Sequence, residues 1–324
     1  MIRKITAFLF CLIIWMDAAA QSLVDTPVHI TSLSINLAGK VDSVTEFVME
    51  PSVLEVASNQ GVGSDTAYRP DTALQLVEQR ALKYDEDGNL LMDVTALWDS
   101  RKTQLQEVTA TRYAYHKGKV AYCINRKDGS IADSTVYVYT AGRLSMCELY
   151  DEKGRYKGRR QFFTNREKIL STISNKDARL ELVDMTRLKY NEDRELVEAT
   201  YHDKDQRLVM TKKYEVDIDS AGHKHVMIFE YAKPDTCTGM ESYLLDDMGN
   251  HLEDVTQDAR GNVLRLTKAA FNEYGHLVTK TSFMKDLDIA CYYEYDDHKN
   301  WTMKRIYHNG QPYRFVRRVI SYYE

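Results

Sequence analysis

The chain has 324 residues, 44% apolar and 28% charged, with a formal net charge of −5 and a mean hydropathy of −0.47. These values exclude collagen-like, low-complexity and multi-span membrane chains, and the acidic balance lacks the basic stripe of a nucleic-acid binder. Tyrosine dominates the aromatics, 22 against 9 Phe and 3 Trp, and only 5 Pro interrupt the chain. That composition suits β-strands with half-wet aromatic faces and points to no particular reaction.

The N-terminus reads as an export signal. Arg3 and Lys4 precede an apolar run over residues 5–16, and Ala18-Ala19-Ala20 supplies the small residues of a cleavage site before Gln21. The run is too short to span a bilayer, and Cys11 lies too early within it for lipid attachment. The expectation is an exported, soluble protein of the periplasm, cell surface or medium, with no membrane span. Four Cys remain in the mature chain: Cys123, Cys147, Cys237 and Cys291. In a meander, Cys123 and Cys147 sit two strands apart, roughly 10 Å, beyond the reach of a bridge. They are expected to be buried free thiols.

Next comes a recurring phrase: an aromatic, Asp or Asn, two polar residues, Gly, a polar residue and an apolar one. It stands as Tyr84-Asp85-Glu86-Asp87-Gly88-Asn89-Leu90, as Tyr150-Asp151-Glu152-Lys153-Gly154-Arg155-Tyr156 and as Phe271-Asn272-Glu273-Tyr274-Gly275-His276-Leu277. Shortened copies surround Gly249 and Gly261, and Arg194, Gln206 and Lys299 replace the Gly in others. The chemistry is that of turns: Asp or Asn bonds the backbone two residues on, and Gly takes the positive φ. Between turns the pattern has period two, as in residues 207–216, where Leu208, Met210, Tyr214 and Val216 alternate with Thr211, Lys213 and Glu215. Turn centres step by 12 residues, from 142 to 154 and from 249 to 261. Twelve residues hold one strand and one turn, so the chain divides into on the order of 20 antiparallel strands. The fold class is all-β, an extended antiparallel meander of hairpins forming a twisted or rolled sheet.

The domain reading is residues 1–20 signal peptide, 21–56 N-terminal hairpin, 57–72 flexible loop and 73–324 hairpin-repeat domain. Within the first hairpin, residues 30–36 and 41–49 flank an Ala38-Gly39-Lys40 turn. At the other end, residues 313–323 carry Arg314, Arg317 and Arg318 and read as the closing strand, its charges guarding a free edge.

The phrase Tyr-Asp-x-x-Gly-x-Leu resembles the tyrosine-aspartate repeat of RHS-type bacterial proteins. The opening Gly39-Lys40-Val41-Asp42-Ser43-Val44-Thr45-Glu46-Phe47 and the closing Tyr295-Asp296-Asp297-His298-Lys299-Asn300-Trp301-Thr302 resemble the ends of small secreted bacterial proteins with such repeats. In that group the position of Lys299 is usually Gly. The resemblance implies architecture: large RHS proteins form shells around toxins, and this chain carries no toxin-like domain. The small relatives imply no activity.

Searching for chemistry yields little. No nucleophile elbow, zinc-protease motif, phosphate-binding loop or dinucleotide fingerprint is present, so no catalytic residue, metal ligand or cofactor is nominated and no enzyme is expected. His223 and His225 share a strand face without a nameable third ligand. The acidic turns lack the Glu that completes a calcium loop. The function expected is a non-enzymatic structural or protein-interaction surface at the cell envelope. The alternative is a carbohydrate-binding module in which Trp98, Tyr293, Tyr295 and Trp301 stack on sugar rings. The partner is an unidentified envelope protein or glycan.

Overall fold

The computed structural model describes residues 37–51, 74–233 and 236–324. The signal segment, residues 30–36 and the 57–72 loop lie outside the described residues. Twenty strands follow in chain order. The first seven are β1 Val41–Pro51, β2 Leu74–Tyr84, β3 Leu90–Asp99, β4 Gln104–His116, β5 Lys119–Lys127, β6 Ser130–Thr140 and β7 Arg143–Asp151. Then come β8 Tyr156–Thr164, β9 Leu170–Asp177, β10 Leu182–Tyr190, β11 Leu196–Asp203, β12 Leu208–Ile218, β13 Lys224–Lys233 and β14 Thr236–Leu245. The last six are β15 His251–Asp258, β16 Val263–Phe271, β17 Leu277–Ser282, β18 Leu287–Tyr295, β19 Trp301–His308 and β20 Gln311–Tyr322. One 3-10 turn, Phe283–Lys285, is the helical element among the described residues.

Every strand pairs antiparallel with its sequence neighbours, and β1 also pairs with β20, so the meander closes into a barrel. The closing strand is therefore not a free edge. Two of its three arginines meet carboxylates on β1 in the same register: Glu46 lies opposite Arg318, and Arg314 bonds Glu50, while Arg317 lies opposite Phe47. Both edges of β1 are occupied, one by β2 and one by β20. Closure removes the unpaired edges that would template aggregation.

The turn chemistry repeats with little variation. At residues 85–89 the Gly88 N–H donates to the Asp85 carbonyl at 3.0 Å, and the Asp85 N–H donates to the Asn89 carbonyl at 2.9 Å. Asp85 Oδ1 accepts the N–H groups of Asp87 and Asn89 at 3.1 and 2.8 Å. The same pair of amide bonds recurs at Asp151, Asp203, Asp246, Asp258, Asn272 and Asp296. It also occurs at Asn165, Asp177 and Asp219. In the first two of these, Lys168 and Leu180 take the left-handed position, both with φ of 66°. A side chain there costs about 1 kcal/mol relative to Gly, and the bonded Asx residue holds the turn regardless.

The first and seventh residues of the phrase face each other across the turn: Tyr84 opposite Leu90, Tyr190 opposite Leu196, Tyr295 opposite Trp301. A bulge follows each pair. Tracing the register from strand to strand sorts the side chains onto two faces. One carries Tyr84, Tyr113, Tyr115, Tyr137, Tyr214 and Tyr293 with Cys123, Cys147 and Cys291, and is half-buried or buried in strand after strand. In β20 the even-numbered residues are half-buried, while the odd ones are mostly exposed. Side chains on the concave wall of a closed sheet converge and cover one another, and those on the convex wall splay apart. This assigns the tyrosine face to the interior.

Twenty strands at roughly 4.8 Å spacing, tilted as in known barrels, enclose a circular section on the order of 40 Å across. No strand packs substantially against any but its hydrogen-bonded neighbours, so the described residues form a wall and not a filled core. Burial is concentrated in two clusters on that wall. One joins Leu37, Val41, Val44, Leu82, Tyr84 and Leu90, and the other joins Leu196, Ala199, Tyr214 and Ile228.

Candidate functional site

Polar and aromatic side chains converge most densely where the barrel closes, on β16–β20 and β1. Three of the four residues nominated by sequence meet there. Tyr293 and Tyr295 lie two apart on β18, their rings 6.2 Å apart, and Trp301 on β19 stands edge-on to Tyr293 at 6.0 Å and 66°. His276, in the 272–276 turn, stacks on both tyrosines at 5.2 and 5.7 Å. Tyr295 Oη is bound by Asn272 Nδ2 at 2.7 Å and lies 3.0 Å from His276 Nδ1. Tyr293 donates its hydroxyl to the Leu277 carbonyl at 2.9 Å. Trp98 takes no part. It sits on β3, on the outward face opposite Leu105 of β4, half-buried and away from the cluster.

Beneath the aromatics lies an ion pair. Arg318 Nε and Nη2 both reach Glu46 Oε1 at 2.7 Å, and the guanidinium carbon stands 3.4 Å from the Trp301 ring centroid. Arg318 and Glu46 side chains are 8% and 13% exposed. Burial pulls the Arg318 pKa down, against the opposing pull of Glu46. Burial also lowers the His276 pKa, and the Arg318 and Lys304 charges add to the effect. His276 Nε2 and Arg318 Nη1 are buried with no hydrogen-bond partner among the described residues.

Beside the pair, Asn300 is 1% exposed and holds the start of the chain. Its amide accepts the Ala38 N–H at 2.6 Å and donates to the Ala38 carbonyl at 2.7 Å and to Tyr322 Oη at 2.8 Å. Tyr322 in turn donates to Asp296 at 2.5 Å, and Tyr323 donates to the Tyr84 carbonyl at 2.7 Å. The 296–300 turn thus clasps both the first and the last described strand.

This arrangement is not the coplanar stacking platform pictured from sequence. Trp301 is 8% exposed and its ring is covered by Arg318, so it offers no flat face to a sugar. Tyr293 and Tyr295 form a tilted ladder with His276 and not a coplanar shelf. Sequence reasoning missed His276, Glu46, Asn300 and the role of Arg318. One signal was present: Glu46 and Glu50 repeat at the same spacing as Arg314 and Arg318.

Elsewhere the expectations fare differently. Cys123 and Cys147 are buried free thiols flanking Tyr137, with Cys123 Sγ 3.7 Å from its hydroxyl, and burial raises the Cys147 pKa to about 12. Cys291 is also buried and free, and Cys237 is half-buried. His223 is held by Asp219 at 3.2 Å in its turn, while His225 lies opposite Asp217 on β12. That second histidine lines a shallow cavity of about 240 Å³ with Asp217, Asp219, Ser242, Leu244 and Glu253. Among the described residues no group of three His, Cys, Asp or Glu side chains is placed to hold a metal ion. The turn carboxylates are engaged by backbone N–H groups. Asp151 shows the effect: Arg155 and those amides hold its pKa down at about 2.

No protein-family model and no curated protein matches the chain. Solved structures to which the chain is similar include a porin-like protein from Bacteroides uniformis ATCC 8492, at 10% identity and a TM-score of 0.36. That match covers 88% of this chain and 98% of the other. A porin-like protein from Bacteroides vulgatus ATCC 8482 matches at 11% identity and a TM-score of 0.26, covering 87% and 98%. The complex TcdB2-TccC3-Cdc42 matches at 11% identity and a TM-score of 0.24, covering 73% of this chain and 16% of the other. At these scores the likeness carries no inference about activity.

Proposed function

We propose that the chain is an exported, non-enzymatic β-barrel scaffold of the cell envelope whose outer wall serves as a structural or protein-interaction surface. The observation that carries this reading is the use made of the distinctive side chains. The buried aromatics, Arg318, Glu46 and Asn300 all serve to close the barrel, and none presents a reactive atom to solvent. The outer wall supports a role outside the hydrocarbon of a bilayer. Arg159, Arg187, Lys213, Lys268, Arg305 and Arg317 stand at mid-strand on that face, where a membrane-spanning barrel needs an apolar band roughly 25 Å tall.

The test is fractionation of bacteria expressing the full chain, with photo-crosslinking groups placed at Arg187 and Lys213. The expected product lies outside the cytoplasm, begins at Gln21 and crosslinks to a discrete envelope protein. A cytoplasmic product that retains residues 1–20 and yields no crosslink would refute the reading.

A further inference from the structure

On the outer wall, strand register sets one row of side chains straight across the sheet. Asp217 of β12 lies opposite His225 of β13, His225 opposite Leu244 of β14, and Leu244 opposite Glu253 of β15. Lys268 of β16 ends the row, paired with Glu253 at 2.9 Å. Three strand spacings put Asp217 and Glu253 roughly 14 Å apart at the backbone. Side chains on a convex wall splay, and the gap they leave here is the cavity of about 240 Å³, which Asp219 and Ser242 also line.

The cavity stays acidic after its counter-charges are counted. Asp217, Asp219 and Glu253 face it, and Lys268 is committed to Glu253. Lys213 shares the outer face of β12 but leans away, its ammonium 5.0 Å from the ring of Tyr231, which lies opposite Thr211. Glu215, between Lys213 and Asp217 on that face, adds a further negative charge. The His223 and Ala221 N–H groups hold the Asp219 pKa below the ordinary carboxylate value, so its charge persists. Asp217 accepts the Ile218 N–H at 2.9 Å and forms no ion pair among the described residues. With the histidines neutral, three lining carboxylates answer to one lysine.

A second observation is independent of charge. Ser242 stands in the neighbouring row, opposite Met227 on one side and Val255 on the other, and is 7% exposed. Its side chain is turned to the outer face and lines the cavity, and its hydroxyl makes no hydrogen bond to another described residue. Buried polar groups are as a rule paired, so an unpaired hydroxyl on the floor of an acidic cavity calls for a donor from outside the chain.

From these we infer that the cavity receives the guanidinium of an arginine side chain belonging to a partner protein. The inference rests on the interaction-surface reading and names the chemistry of the partner at one place on that surface. Size selects a single group: pockets that enclose whole small molecules run to about 300–1,000 Å³. A volume of about 240 Å³ suits one side chain whose parent chain lies along the wall. Sign selects a cation, and no three ligands are placed among the described residues to hold a metal ion. Shape selects arginine. Its planar guanidinium can bond Asp217 and Ser242 edge-on while its weakly hydrated face rests on His225 and Leu244. The ammonium of lysine is compact and strongly hydrated, and loses more on leaving water for such walls.

The test is saturation-transfer NMR on the purified chain with Nα-acetyl-arginine methylamide and with its lysine and citrulline counterparts, the last neutral but of the same shape. The expected result is transfer to the side-chain protons of the arginine probe, less to lysine and none to citrulline. Asp217→Asn keeps the oxygen that accepts the Ile218 N–H and should weaken arginine binding about tenfold or more. Ser242→Val removes the acceptor and fills the floor, and should weaken it as well. Asp193→Asn, at an exposed carboxylate in the 191–195 turn, makes the same change in net charge and should leave binding unaltered. Circular dichroism melting checks that each variant is folded. The inference is overturned if the arginine probe gives no signal, if lysine or citrulline binds as well, or if either cavity variant binds like the parent. The probes meet purified chain in solution, so their failure leaves export and crosslinking, read in cells, standing.

Discussion

Arg318→Ala should open the barrel at its seam. The substitution removes both 2.7 Å bonds to Glu46 and the 3.4 Å stack on Trp301, and it strands a carboxylate whose side chain is 13% exposed. Breaking one partner of a buried ion pair costs about 3–5 kcal/mol, and the cation–π contact, up to about 2 kcal/mol when desolvated, is not simply additive to it. The arginine already carries an unsatisfied Nη1, which argues for the lower half of the range. For a chain of this size, about 3–5 kcal/mol corresponds to a fall of roughly 5–9 °C in Tm. Circular dichroism melting of the purified mature chain would measure it. A second variant separates loss of the pair from loss of bulk: Glu46→Leu with Arg318→Met removes both charges and keeps apolar volume, and should recover to within about 1 kcal/mol of the parent. The reasoning fails if Arg318→Ala melts with the parent protein, or if the double variant is no more stable than the single one.

Asn300→Ala should cost about 1–3 kcal/mol by orphaning the Ala38 amide groups, and hydrogen exchange should show loss of protection at the Ala38 N–H first. Gly158→Ala should destabilise by about 3 kcal/mol or more in guanidinium titration. Its Cβ would lie 2.1 Å from the Lys176 carbonyl oxygen, at a φ of +145°. Lys299→Gly should instead raise stability by about 0.5–1 kcal/mol in the same titration, since Lys299 holds a φ of 66°. His276 is held below its ordinary pKa, so in the window below about 6.5 the unfolded chain binds the extra proton and stability falls with acidity. Melting from pH 7 to pH 5 should therefore drop more steeply for the parent than for His276→Gln, and equal slopes would contradict the assignment.

Much of the wall was legible in the sequence because its determinants are local. An Asp or Asn four residues before the next strand, with period-two alternation on either side, is enough to place a hairpin. Residues 165–169 and 177–181 show the limit of the rule: they have neither the leading Tyr nor the Gly of the phrase, and Lys168 and Leu180 occupy the left-handed position. Closure depends on contacts between residues more than 250 apart, such as Arg318 with Glu46, which no local pattern registers. For the same reason the terminal arginines read as guards of an edge and proved to be half of a seam. The site followed the same division. Tyr293, Tyr295 and Trp301 were brought together as strand spacing implied, but their burial was set by Arg318 arriving from another strand.

The pairing of an Asx cap with a facing first and seventh residue also limits how such a barrel can change size. Adjacent turns at one end are separated by two strands, and the apolar residue must return to the same face each time. Loss or gain of a single strand would reverse every later residue across the wall and leave β20 running parallel to β1. Circumference can therefore change only by whole hairpins of about 24 residues, each adding roughly 10 Å to the circumference and about 4 Å to the width. Duplication of one such unit would give a wider tube with its seam unaltered, so bore is a quantity that this sequence grammar lets vary in fixed steps.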